Sequence, residues 1–141
     1  MNSAGTPAPA GGTDGAREYL QALRQSVLHL HKTLIDSERT SYEQTFGKVE
    51  SQNKFLQLLI KDPWFVWLHP LSELVVEMDE ALEGKTPLTA GQVKQFADQT
   101  RTLLKASEQG EGFERSYYEA LQREPDVVLA HAEVTKCLNA K

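Results

Sequence analysis

Cysteine occurs once in the 141 residues, at Cys137, so no internal disulfide can brace the chain and a reducing cytoplasm suits it. With no Cys or His partner close in sequence, Cys137 reads as a small residue near a helix end rather than a nucleophile. No apolar run approaches the ~20 residues of a membrane span. The richest stretch, FLQLLIKDPWFVWL, is interrupted by Lys61, Asp62 and Pro63. Nor is there a lysine- or arginine-rich run: the net charge is −5 and the pI about 5.4. That balance argues against nucleic acid and anionic membrane as partners. Residues 1–15, MNSAGTPAPAGGTDG, contain neither a basic segment nor an apolar core, so a secretory leader is not expected. With nothing apolar to bury after Met1, they are expected to be a disordered tail, leaving 16–141 as one helical domain. Glycine-rich phosphate loops, internal repeats and alternating strand patterns are missing as well.

What the chain does have is concentrated in DPWFVWLHPLSELVVEMDEALE, residues 62–83, which holds both tryptophans. Trp64, Trp67, Leu68, Leu71, Leu74, Val75, Met78 and Leu82 recur at three- and four-residue intervals, the period of one helical face. Asp62 followed by Pro63 is a helix start and Gly84 a stop. Pro70 inside this run predicts a kink or short break near Leu68–His69. The whole stretch reads as the central rod of the fold. A short helix beginning at Ser51 and carrying Phe55, Leu56, Leu59 and Ile60 is expected to lie across one end as a lid.

A first helix is expected from about Ala16 to Thr45, with Leu20, Leu23, Val27, Leu30 and Leu34 on one face. Three polar residues fall in the middle of that face, seven apart: Arg24, His31 and Glu38. A third helix opens with a capping box, Thr89 to Gln92. A fourth helical stretch runs from Phe113 to Leu138 with Pro125 near its middle. If it continues through the proline with only a kink, Glu124 and His131 take central positions on its apolar face; Glu-Pro-Asp is equally a signal to restart a separate helix. Four long helical segments with short connections predict an all-α fold, an antiparallel four-helix bundle with the short extra helix before a Pro-kinked central one.

The inward polar set carries three readings. One is general acid–base chemistry by a carboxyl of raised pKa at Glu38 or Glu124, for which the sequence offers no pocket or substrate clue. In another, His31, Glu38, Glu124 and His131 are paired groups that fix helix register, with Arg24, Arg115 or Tyr117 as partners. Glu38 in particular is expected to be buried and held by a cation or hydroxyl from another helix. In the alternative, the same four residues bind iron, manganese or zinc. Against that stands their spacing: residues seven apart on a helix are ~10.5 Å apart and cannot share one ion. The Glu-x-x-His pairs of carboxylate-bridged bundles do not occur. A third set, Trp64, Phe65, Val66 and Trp67, is expected either to pack under the lid or to form a patch for a partner. The functional expectation is a non-enzymatic structural or interaction module. It has no cofactor, and its partner is another protein or a second copy, as in a homodimer.

The strings LHLHKTLIDSERTSYE (28–43), DPWFVWLHPLSELVVEMDEAL (62–82) and EPDVVLAHAEV (124–134) resemble those of a group of small uncharacterised bacterial all-helical proteins. The resemblance implies a bacterial cytosolic protein with a helical fold. It brings no activity, cofactor or assigned site.

Overall fold

In the computed structural model, which describes residues 13–140, every regular element is a helix. The first, α1 (Thr13–Phe46), is by far the longest, at 34 residues. It begins at Thr13 rather than Ala16, so the last three residues assigned to a tail are helical; the remainder of that expected tail, 1–12, lies outside the described residues. Leu20, Leu23, Val27, Leu30 and Leu34, the face read from the sequence, are all completely buried. α1 ends where Gly47 takes a φ of +96°, a left-handed conformation that costs glycine nothing, and its N–H caps the Glu43 carbonyl at 2.9 Å.

α2 (Gln52–Lys61) starts at Ser51, whose hydroxyl accepts from Lys54 N at 3.1 Å. Asp62 closes α2 and caps the single turn α3 (Pro63–Val66), its carboxylate accepting from Trp64 N at 2.9 Å. The break expected at Pro70 is present: the chain turns at Trp67–Leu68, and α4 (His69–Glu83) starts with Pro70 in its first turn, where a missing N–H costs no helical bond. α5 (Ala90–Leu103) opens with the complete Thr89–Gln92 capping box. It stops at Leu103, well before the Gly110–Gly112 stretch. α6 (Phe113–Arg123) and α7 (Pro125–Asn139) are separate helices. Glu124 between them is extended, at φ −126° and ψ 111°, as steric conflict with the following proline ring demands.

The described residues thus form an all-α protein, and none of their helices is long and apolar enough to cross a membrane. Its centre is not the tryptophan-bearing stretch. α1 is the helix that touches α3, α4, α5, α6 and α7, with α7 and α4 its most extensive neighbours. The main core gathers the α1 leucines with Leu71, Met78, Tyr117, Val127 and Val134. A second, smaller core holds Val49, Phe55, Leu58 and Phe65, and it attaches α2 to α3 and to the end of α1. The correction has a physical reason. Residues 62–83 are the most apolar, but the loss of helix at Trp67–Leu68 leaves α4 with half the length of α1. The longer helix, unbroken over its whole length, presents its apolar stripe to more neighbours.

Candidate functional site

Glu38 stands on the buried side of α1, only 7% exposed. Arg123 Nη2 donates to its Oε2, and to the neighbouring Ser37 Oγ at 3.1 Å. Trp67 Nε1 donates to Oε1 at 3.3 Å. The carboxylate is therefore met on both oxygens, by a cation from the last residue of α6 and by an indole from the turn between α3 and α4. None of the three expected partners supplies that cation. Arg24 pairs with Asp79 of α4 at 2.6 Å, Arg115 with Glu119 of its own helix, and Tyr117 with His131. The Trp67 ring stacks edge-on against Phe113, 5.2 Å between centroids, which in turn packs against Tyr117. This line of rings holds the indole where it reaches Glu38.

His31 lies two turns before Glu38 and serves a different joint. Its Nε2 is 2.6 Å from Ser72 Oγ, tying α1 to the first turn of α4. His69, which opens α4, donates from Nε2 to the Leu59 carbonyl at 3.0 Å and ties α4 to α2. The two imidazoles line a cavity of about 250 Å³ together with Ile35, Leu59, Phe65 and Ser72. Burial holds the His31 pKa below its ordinary 6.5, and the nearby His69 charge acts in the same direction.

His131, on α7, is also held below 6.5 by burial. The fully buried Tyr117 faces it, with hydroxyl and Nδ1 2.6 Å apart. Burial drives the Tyr117 pKa far upward, so the phenol keeps its proton and donates to a neutral imidazole. Glu124 is not on an inward face at all. The α6–α7 break makes it the N-cap of α7, accepting from Asp126 N at 3.4 Å.

The four residues considered as metal ligands consequently go to four different places: His31 to Ser72, Glu38 to Arg123, Glu124 to a helix cap and His131 to Tyr117. Among the described residues, no three His, Cys, Asp or Glu side chains group as ligands for one ion. The structure also divides Trp64, Phe65, Val66 and Trp67. Phe65 is completely buried in the smaller core beneath α2, and Trp67 is committed to Glu38, so neither belongs to an exposed patch. Trp64 is half-buried and Val66 is open. The residues that sequence reasoning missed are Arg123, Ser37 and Ser72. Arg123 sits two positions before Pro125, and only the helix end there aims its side chain at α1.

Neutral, half-buried histidines have a consequence for pH. Their folded pKa values lie below the unfolded 6.5, so as pH falls past 6.5 the unfolded chain binds more protons than the folded one. Stability carried by His31 and His131 is complete above that value and is lost as pH falls through their folded values. The urea midpoint is expected to drop between about pH 7.5 and about pH 5, across the ordinary histidine range. His31→Gln combined with His131→Gln should flatten that dependence; an unchanged slope would mean other groups carry it.

Compared with models of protein families, with curated proteins and with solved structures, the chain matches none.

Proposed function

We propose that this protein is a non-enzymatic helical interaction module. In this reading α1, α4, α5 and the α6–α7 pair are the rods of an antiparallel four-helix bundle, and α2 is its lid. The observation that carries it is a contrast in how side chains are used. The inward ionisable groups are taken up by structural partners: Glu38 by Arg123, His31 by Ser72, His131 by Tyr117 and Arg24 by Asp79. Large apolar side chains, by contrast, stand in solvent. Phe46 is 63% exposed at the end of α1, and Leu56 and Ile60 are each 56% exposed one turn apart on α2. Single exposed apolar residues are ordinary, but an apolar pair on one helix face is the composition of a contact surface. A net charge of −5 supports a protein partner or a second copy over nucleic acid or an anionic membrane.

The test is native mass by light scattering across a wide concentration range, together with retention of partners from lysate. Wild type is compared with a Leu56→Asp, Ile60→Asp variant. The expected result is an association, with itself or with a captured protein, that the variant loses while keeping its helical spectrum. A strict monomer that retains nothing, in both proteins, would sink the module.

A further inference from the structure

Two exposed helix faces of this protein are complementary to each other, and we infer that α2 of one copy docks against the α1–α7 groove of another. The inference rests on the interaction-module reading and names the partner. One face is the outer half of α2, where Leu56 and Ile60 project into solvent on one flank and Lys54 and Lys61, two turns apart, are exposed on the other, roughly 130° round the helix. In a chain of net charge −5, the segment from Gly47 to Lys61 is an exception, carrying Lys48, Lys54 and Lys61 against Glu50 alone. The other face is a groove of about 590 Å³ between α1 and α7. Asp36, Glu124, Asp126 and Glu133 line it against Lys32 and His29, and Leu129, 63% exposed, gives it an apolar side chain. Val128 beside Leu129 is open as well.

Length agrees with charge. The α1 side of the groove runs from His29 to Thr40, or about 18 Å at 1.5 Å per residue. The ten residues of α2 span about 15 Å on the same rise. A basic helix with an apolar pair therefore matches, in length and in both kinds of surface, an acidic groove with an apolar wall. The second copy is the occupant because both halves of the match lie on the same chain. α2 packs on the Ile35–Tyr42 side of α1, and the groove opens on its far side, at Lys32, Asp36 and Thr40. The two faces therefore look away from each other and the contact is head-to-tail: each copy offers α2 to one neighbour and its groove to another, giving open chains or a closed ring rather than an isologous dimer.

Head-to-tail docking makes a prediction that no symmetric contact shares. Leu56→Asp spoils only the α2 face and Leu129→Asp only the groove; both residues are exposed, so both variants should keep the helical spectrum and thermal midpoint of the parent. Each alone should raise the dissociation constant roughly tenfold or more, as loss of a central interface anchor does. An equimolar mixture retains one intact α2 and one intact groove, and should form a heterodimer that grows no further. Sedimentation velocity reads all three. Association of wild type should also weaken between about 50 mM and about 500 mM salt, since the charged rims are screened. The inference is overturned if wild type associates but Leu129→Asp does not weaken it, or if the mixture fails to restore pairing. It is also overturned if wild type stays monomeric. In that last case a lysate partner lost on the α2 substitutions would keep the module and remove only self-docking.

Discussion

Arg123→Ala is expected to lower the free energy of unfolding by about 3 kcal/mol, the lower end of the range for breaking a buried ion pair. The lower end applies because the Arg123 side chain is 41% exposed while that of Glu38 is only 9% exposed. The guanidinium gives up little hydration to form the pair, and the carboxylate gives up nearly all. Removing Arg123 therefore leaves a desolvated charge on α1 with only the Trp67 indole, and takes from Ser37 its donor as well. Glu38→Gln in the same background removes that charge while keeping an oxygen for the indole. The double variant should recover a large part of the loss, so that the two substitutions couple by more than 1 kcal/mol in a urea-denaturation cycle, a roughly interaction-sized deviation from additivity. Additive losses would mean that the pair does not hold the α1–α6 joint. An unaffected helical spectrum at low denaturant is expected throughout, because the buried apolar side chains of the main core are all retained.

The direction of Glu38 was legible from seven-residue spacing within an apolar stripe, since a 34-residue helix with no proline or glycine after Gly15 keeps its phase over its full length. The need for a partner was legible too, from the cost of burying a lone carboxylate. The partner was not. Arg123 is the last residue of its helix, and at Glu124 the period that would place successive residues on one face is reset. Carrying the phase of Phe113–Leu121 through Pro125 puts Glu124 inside; resetting it makes Glu124 a cap. The dipeptide permits either, and the energy difference lies in packing against α1.

The same limit explains the misplaced centre. Hydropathy ranks residues 62–83 first, but how many neighbours a helix touches depends on its unbroken length and on contacts distant in sequence. Capping signals, by contrast, are local. Thr89–Gln92, Ser51 and Asp62–Pro63 each cap or start a helix where their chemistry says they should, because hydroxyl or carboxylate and free N–H lie within three residues of each other. The paired use of Trp64 to Trp67 falls between these cases. Four adjacent apolar residues cannot share one helical face, so some had to find a second core or solvent. The tight α3 turn sends Phe65 under α2 and Trp67 back toward α1.

Phe65→Ala is expected to cost about 3–4 kcal/mol, as for other buried phenylalanines, and to release α2 before the rest of the fold. Phe65 is fully buried, and its ring meets Phe55 edge-on at 5.5 Å and Tyr42 at 5.4 Å. It is thus the side chain through which α2, α3 and the end of α1 touch at once. α2 has little else to hold it. Its buried residues are Phe55 and Leu58 alone, and beyond them it is tied by the half-buried Leu59 against the smaller core, by Arg39 lying 4.4 Å over the Phe55 ring and by the Leu59 carbonyl bond from His69. A ten-residue helix is unstable on its own in water, so loss of the Phe65 contact should let α2 open as a local unit. Hydrogen exchange separates this from global destabilisation. In Phe65→Ala, the amides of Leu58 and Leu59 should exchange roughly a hundredfold faster, while those of Val27 to Leu34 change much less. Leu30→Ala, in the main core, should weaken protection in both places together. If Phe65→Ala instead lowers both regions equally, α2 is part of the same cooperative unit as α1, and the smaller core is an extension of the larger one rather than a hinge for the lid.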